Sequence, residues 1–125
     1  MQATLLIIED NEQNIYMMRF LLEKHGYLVH EATSGRAGLR KATELLPDAI
    51  LLDIQLPEMD GYAVAAELKK LPALKDVPII AVTSCAMVGD RERILAAGAT
   101  GYIEKPIDPA TFVSEIAAFL PGERC

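Results

Sequence analysis

Short apolar runs alternate with longer amphipathic segments along the whole chain. The three most apolar runs are Leu5 to Ile8, Ala49 to Leu52 and Ile79 to Val82, and two weaker runs are Tyr27 to His30 and Gly101 to Ile103. Their length and their Ile, Leu and Val content predict five β-strands. The continuous apolar runs are typical of strands buried on both faces, whereas the polar alternation in "YLVHE" indicates an edge or half-exposed strand.

Segments with apolar residues at helical spacing follow each predicted strand. They cover Glu12 to Lys24, Gly35 to Leu45, Gly61 to Lys70, Asp90 to Ala97 and Pro109 to Phe119. Gly and Pro residues mark the junctions, where they end helices or open strands. Strand and helix therefore alternate five times, and we predict one α/β domain over residues 1–125, with 121–125 as a short tail and a parallel sheet at its centre.

Composition and charge exclude several classes of function. The 125 residues carry a formal net charge of −6, whereas nucleic-acid binding draws its affinity from clustered Lys and Arg, so we expect no direct nucleic-acid partner. No apolar stretch approaches the roughly 18 residues of a membrane-spanning helix, and the chain does not begin as a signal peptide does. We therefore expect a cytoplasmic protein with no membrane partner, in which Cys85 and Cys125 are free thiols.

Acidic, hydroxyl and lysine side chains stand at the carboxyl ends of four predicted strands: Glu9, Asp10, Asp53, Thr83, Glu104 and Lys105. In an open parallel sheet these ends meet at the edge where ligands bind. Two or three carboxylates suit Mg²⁺, and a lysine and a hydroxyl suit a phosphoryl group. Because an aspartate held beside Mg²⁺ is a nucleophile toward phosphorus, the pattern predicts an edge that phosphorylates its own aspartate.

A helix cap is the alternative interpretation of each acidic or amide residue taken singly. Asp10, Asn11 and Asp53 each precede a predicted helix, where Asp and Asn commonly accept hydrogen bonds from the first turn. The convergence of the whole set on one binding edge favours a functional site.

Four segments, in this order, resemble the landmarks of response-regulator receiver domains of two-component signalling: "IIEDN", "LLDIQLPEMDGY", "PIIAVTS" and "GATGYIEKPID". The resemblance covers essentially the whole chain. It implies a flavodoxin-like fold, a doubly wound five-stranded parallel sheet in the order 2-1-3-4-5 with five helices. It also implies a phosphorylation-dependent signalling switch, which is not an enzyme except that it catalyses its own phosphorylation and dephosphorylation.

The resemblance assigns the metal site residue by residue. It implies that Asp53 is the phosphoacceptor and that Asp10 is a direct Mg²⁺ ligand, with Glu9 assisting through a water molecule. Gln55 is implied to offer its backbone carbonyl to the metal. Glu9 departs from the family pattern, since many receivers have Asp there, but its longer side chain is expected to reach a metal-bound water.

The resemblance also assigns the groups that contact the phosphoryl group. It implies that Thr83 donates to the phosphoryl group and that Lys105 pairs with it, next to a cis Lys105-Pro106 bond. Tyr102 matches the switch aromatic, which turns inward when the threonine moves toward the phosphoryl group.

Two further positions resemble the sites that set phosphoryl lifetime in this family. Gln55 and Cys85 each lie two residues beyond an active-site residue. Our hypothesis is that the long amide and the small thiol help to set how easily water attacks the phosphoryl group. A redox role for Cys85 is the alternative, although a buried small thiol is usually inert.

The first predicted helix carries more apolar surface than its burial requires. Four residues on one face suffice to bury it: Ile15, Met18, Leu21 and Leu22. Tyr16, Met17 and Phe20 lie on another side and predict a protein-docking surface, unless loops cover them. The resemblance implies that a histidine kinase or a histidine phosphotransfer protein docks there and presents a phosphohistidine to Asp53.

Two segments, "EDNEQN" and "AVTSCAMVGDRERI", are similar to stand-alone receivers of the cell-division type, which suggests a subtype within the family. A motor-binding chemotaxis regulator or a middle carrier of a phosphorelay would share every active-site residue. Only "PGERC" follows the last predicted helix, so we expect a downstream protein target to read the phosphorylated form.

Three interpretations from other classes remain to be weighed. A degenerate receiver would bind partners without being phosphorylated. A Mg²⁺-dependent aspartyl phosphohydrolase of the haloacid-dehalogenase type would have a second acid where this chain has Gln55. A nucleotide- or flavin-binding domain would need a glycine-rich loop where "EDNEQN" stands.

Overall fold

The computed structural model of the protein describes residues 3–56, 59–84 and 88–120. Within these residues the strands are Thr4–Ile8 (β1), Leu28–Ala32 (β2), Ala49–Asp53 (β3), Ile79–Thr83 (β4) and Gly101–Glu104 (β5). The α-helices are Glu12–Lys24 (α1), Gly35–Leu45 (α2), Gly61–Lys70 (α3), Val88–Ala96 (α4) and Phe112–Ala117 (α5). A short 3-10 helix, which the sequence did not predict, covers Pro72–Leu74.

The strands form one parallel sheet in the order β2-β1-β3-β4-β5, which confirms the predicted fold class. Every residue of β3 and β4 is buried, as expected for continuous apolar strands with neighbours on both sides. β2 is the half-exposed edge strand that the alternation in its sequence predicted. The reversal of strand order falls between β1 and β3, so a crevice at their carboxyl ends is the expected binding edge.

Alternate residues of each strand enter cores on opposite faces of the sheet. On one face, Leu5 and Ile7 of β1 belong to the core that includes buried residues of α1 and α5. On the other face, Leu6 and Ile8 belong to the core that includes buried residues of α2, α3 and α4. Helices therefore cover both faces of the sheet and leave its carboxyl edge for polar groups.

The first three helices have the predicted bounds, and each begins at a side-chain cap. Asn11 Oδ1 accepts from Asn14 N at 2.9 Å at the start of α1, and Asp60 Oδ1 accepts from Ala63 N at 3.0 Å at the start of α3. Ser34 Oγ accepts from Ala37 N at the start of α2. Asn11 is therefore a helix cap, as the alternative interpretation proposed for this residue.

The last two helices differ from their predicted bounds. α4 begins two residues earlier than predicted, and α5 is shorter at both ends. The segment before α5 is a turn around Asp108, whose Oδ1 accepts from Ala110 N at 2.9 Å and whose carbonyl accepts from Thr111 N and Phe112 N. These hydrogen bonds form a turn ahead of Phe112, where α5 begins.

Close backbone packing brings the start of α3 against the end of β3. Gly61 N donates to Ile54 O at 2.9 Å, and a Cβ at Gly61 would lie only 2.7 Å from Asp53 O. Only glycine fits there without a shift of backbone, so the segment after Asp53 folds back tightly on the strand. In the part of the chain that the structure describes, no helix is both long and apolar enough to cross a membrane.

Candidate functional site

Three carboxylates converge at the carboxyl edge of the sheet. Glu9 directly follows β1 and precedes Asp10, and Asp53 ends the adjacent strand β3. One oxygen of each of these residues lies within 4.8 Å of the others, and we call the three the acidic cluster. Glu9 is 1% exposed and Asp53 is 3% exposed, whereas Asp10 is open to solvent. Two of the three charges are therefore held in a site from which water is largely excluded.

Lys105 directly follows β5, the edge strand opposite β2, and its side chain extends to the acidic cluster. Its Nζ lies 3.1 Å from Glu9 Oε1 and 3.6 Å from Asp53 Oδ1. Its backbone N donates to Thr83 O at 2.8 Å, which continues the pairing of β4 and β5, and the Lys105-Pro106 peptide bond is cis. A single ammonium group therefore faces both buried carboxylates.

Asp53 is oriented by the backbone of the segment that follows it. Gln55 N donates to Asp53 Oδ1 at 2.9 Å. Asp53 is level with Val82 on the neighbouring strand, so the fully buried Thr83 lies one position further toward the edge. The carboxylate, the hydroxyl and the ammonium thus belong to residues at the ends of three adjacent strands.

The environment of Glu9 disfavours its charged form. Burial raises the pKa of the Glu9 carboxyl, and the Asp53 carboxylate raises it further, while the Lys105 ammonium acts in the opposite direction. Glu9 Oε2 accepts from Asn11 N at 3.2 Å. Among the described residues Glu9 Oε1 accepts no hydrogen bond of good geometry, although Lys105 Nζ is at ion-pair distance.

The acidic cluster therefore suits a hard divalent cation such as Mg²⁺. Carboxylate oxygens are the ligands that this ion prefers, and it commonly keeps several of its waters. A cation would offset the repulsion between the two buried carboxylates and would give Glu9 Oε1, directly or through water, a further partner beside Lys105.

The family model of the response regulator receiver domain matches residues 5–117. The chain belongs to this family. It is accordingly a protein of two-component signalling, and its function is that of a phosphorylation-dependent switch. The resemblance on which the sequence analysis relied is confirmed.

Individual relatives agree with this assignment. The receiver is 44% identical over 120 residues to the polar-differentiation response regulator DivK of Brucella ovis, an alignment that covers 96% of this chain and 98% of the relative. The chemotaxis protein CheY4 of Vibrio cholerae superposes with a TM-score of 0.92 at 28% identity, covering 96% and 100% of the two chains.

A third relative has been described with a bound magnesium ion. The receiver domain of the sensor histidine kinase PA1611 from Pseudomonas aeruginosa has a TM-score of 0.87 and 34% identity, and the match covers 95% of this chain and 98% of that chain. That structure is described with a magnesium ion coordinated in its active-site cleft.

Tyr102 of the receiver lies on β5. It is partly buried and packs against the core on the α2, α3 and α4 face of the sheet. Arg93 of α4 stacks on the ring of Tyr62, with Cζ 4.2 Å from the ring centroid, and so joins α4 to the start of α3.

Sequence reasoning missed one polar contact at the site. Ser84 Oγ donates to the side-chain Oε1 of Gln55 at 2.9 Å. Ser84 directly follows Thr83, so its position at a strand end was a usable signal, but nothing in the sequence pairs it with Gln55. Cys85, assigned with Gln55 to the lifetime positions, lies outside the described residues.

The predicted docking residues differ in exposure. Tyr16 and Phe20 are exposed on α1 and stack with ring centroids 6.3 Å apart, and Lys24 Nζ lies 5.9 Å from the Phe20 centroid. Met17 was expected on the same surface, but it is partly buried and packs against the core beside α1. Its long unbranched side chain can reach the core from a flanking position of the helix.

Proposed function

We propose that the receiver accepts a phosphoryl group on Asp53 from the phosphohistidine of a histidine kinase or a histidine phosphotransfer protein. The observation that supports this most directly is the pairing of a nearly buried Asp53 with Lys105 Nζ at 3.6 Å, beside the rest of the acidic cluster. A structural ion pair alone would not require two further carboxylates at the same point.

The transfer is a displacement at phosphorus. A carboxylate oxygen of Asp53 attacks the phosphorus atom, the phosphorus–nitrogen bond to the donor histidine breaks, and its electron pair stays on the imidazole nitrogen, which takes up a proton. Lys105 pairs with a phosphoryl oxygen and the Thr83 hydroxyl donates to another. These two groups face the charge that the phosphoryl group brings into the site.

Glu9, Asp10, Asp53 and the backbone carbonyl of Gln55 are the groups that would hold Mg²⁺. When bound, the ion neutralises charge on the phosphoryl oxygens. Of these groups, Glu9 would contact the ion through a water molecule.

The phosphorylated form differs from the unphosphorylated one by up to two negative charges at Asp53. In our proposal this charge draws Thr83 toward the phosphoryl group, Tyr102 turns inward, and a pre-existing equilibrium shifts at the surface of α4, β5 and α5. A downstream protein target then reads this surface in the cytoplasm. The protein catalyses only its own phosphorylation and dephosphorylation.

Intact-mass analysis tests the proposal. The protein is incubated with acetyl phosphate in Mg²⁺, and in parallel with EDTA, together with the Asp53→Asn variant. We expect a mass increase of one phosphoryl group that requires both Mg²⁺ and Asp53. A folded protein that binds Mg²⁺ but gains no mass would contradict the proposal, and the degenerate receiver would then be the better interpretation.

A further inference from the structure

Strand β2 lies at the edge of the sheet, and part of its backbone faces away from the other strands. In the part of the chain that the structure describes, β2 pairs with β1 alone. Leu28 N donates to the residue that precedes β1, and Ala32 O accepts from the residue that follows β1. Because backbone groups alternate in direction along a strand, those of Val29 and Glu31 point outward. We call this outward side the outer edge of β2, and a further strand can pair with such an edge.

Two cations, one from a helix on each face of the sheet, bind Glu31 on this strand. Lys41 is a half-buried residue of α2, and its Nζ donates to Glu31 O, which is one of the outward groups. Arg19 belongs to α1 on the opposite face, and its Nη1 lies 2.6 Å from Glu31 Oε2. The Lys41 ammonium therefore occupies a backbone acceptor that a further strand would need.

The outer edge fits a second copy of the same strand. An antiparallel pair with a two-fold axis at His30 sets Val29 of each copy opposite Glu31 of the other, and reciprocal backbone hydrogen bonds join these residues. In each copy one of these bonds would end at Glu31 O. His30 is exposed, and Leu28 is 47% exposed, so the side chains at the centre and at the start of the strand are accessible to a second copy.

We propose that Lys41 keeps the outer edge of β2 from pairing with a second copy of the chain. The ammonium holds the Glu31 carbonyl at the place where the incoming strand would donate. Pairing therefore requires that both copies lose a charge-assisted hydrogen bond and gain a neutral one. The inference concerns the edge of the sheet and does not depend on the proposed phosphorylation of Asp53.

Net charge predicts the opposite effect of this lysine. The chain carries a formal net charge of −6, so two copies repel each other, and the loss of a lysine makes each copy more negative. Self-association of a variant without Lys41 would therefore report a specific contact at the outer edge. Arg40 is an exposed cation on the same helix and provides the comparison at equal charge.

Sedimentation velocity over a range of protein concentrations measures self-association. Lys41→Met removes the ammonium and keeps an unbranched side chain, and Arg40→Met makes the same change of charge beside it. Lys41→Arg keeps a cation that can donate to the carbonyl. His30→Glu, added to Lys41→Met, sets two carboxylates opposite each other at the proposed two-fold axis, where like charges disfavour pairing.

We expect the wild type, Arg40→Met and Lys41→Arg to remain monomers over this range. Lys41→Met should form a dimer with a dissociation constant at least about tenfold lower than theirs, because Glu31 O is then free to accept from the second copy. The variant that also carries His30→Glu should be a monomer. Circular dichroism shows whether each variant is folded, and Lys41→Ala, which suits a helix, repeats the test if Lys41→Met folds poorly.

Several results would overturn the inference. If folded Lys41→Met and Lys41→Ala proteins stay monomeric, Lys41 serves only to hold α2 against β2. A dimer that forms equally in wild type or in Arg40→Met would show that Lys41 does not control association. A Lys41→Met dimer that persists with His30→Glu would place the contact elsewhere on the molecule.

Discussion

Two nearly buried carboxylates, Glu9 and Asp53, share one lysine at the carboxyl edge of the sheet. Burial and the charge of Asp53 raise the pKa of Glu9, and Lys105 does not cancel their effect. Without a metal, the folded protein therefore holds the Glu9 proton more tightly than the unfolded chain does. The contribution of Glu9 to stability is therefore fully present below the ordinary pKa of a glutamate and is lost as pH rises through the raised pKa.

Replacing Glu9 by Gln tests this account of the site. Glutamine resembles the protonated glutamate, so in EDTA at neutral pH we expect Glu9→Gln to unfold at a higher temperature than wild type. The difference should shrink as pH is lowered toward the ordinary glutamate pKa. Adding Mg²⁺ should stabilise wild type more than the variant, because the variant lacks one carboxylate of the acidic cluster.

Thermal unfolding followed by circular dichroism, at several pH values and with or without Mg²⁺, gives all of these quantities. A Glu9→Gln protein that is less stable than wild type in EDTA at neutral pH would show that the ion pair with Lys105 outweighs the cost of burial. Glu44→Gln, which changes an exposed carboxylate on α2, is the matched control.

At the scale of single elements, α2 ends in a backbone conformation that its sequence does not favour. Leu46 has φ 50° and ψ 61°, the left-handed region, and its N–H donates to Ala42 O. Glycine or asparagine is the usual residue there, since a Cβ is strained in this region. The side chain of Leu46 is 55% exposed, so it contributes little to the core.

Leu46→Gly is therefore expected to stabilise the protein by about 0.5–1 kcal/mol, the relief of strain less the greater freedom of glycine in the unfolded chain. Leu95→Gly is the control, because Leu95 is 49% exposed in α4 and has no positive φ. That change should destabilise the protein by up to about 1 kcal/mol. Urea unfolding measures both, and the same sign in the two variants would contradict the argument.

The exposed aromatic pair on α1 supports a prediction about recognition. Tyr16 and Phe20 stack on each other on the exposed side of the helix, outside the core. Replacing both by Ser should lower kcat/KM for phosphotransfer from a histidine phosphotransfer protein by at least about tenfold, because aromatic residues commonly dominate interfaces. The loss should exceed any change in phosphorylation by acetyl phosphate, which needs no docking.

Phosphotransfer followed by radiolabelled phosphate measures this difference. Leu46→Ser serves as the control, since Leu46 is an exposed leucine that precedes β3 and so lies toward the opposite edge of the sheet. Equal losses with the protein donor and with acetyl phosphate would mean that the α1 pair acts on folding or on the site, and not on docking.

At the scale of the whole molecule, the fold could be predicted from the sequence because the central strands are unbroken apolar runs between Gly and Pro residues. The strand bounds agree to within two residues. The bounds of α5 could not be predicted, since the sequence does not distinguish the turn around Asp108 from a first turn of the helix. Met17 was misplaced because a helical wheel ignores how far a methionine side chain reaches.

The candidate site could also be predicted in part. The rule that parallel strands end at one edge brought together Glu9, Asp10, Asp53 and Lys105, and the structure has these side chains close to one another. Their roles remain predictions. The contact between Ser84 and Gln55 could not be predicted, because it depends on the rotamers of two exposed side chains in different loops.

The distribution of the site over the strands has a consequence for protein synthesis. Glu9 follows β1, and Lys105 follows β5, the last of the five described strands to be synthesised. A nascent chain that lacks β5 has its acidic residues without the lysine, so we expect it to be a poor acceptor of phosphate. Signalling through Asp53 would then begin only when translation and folding of the domain are complete.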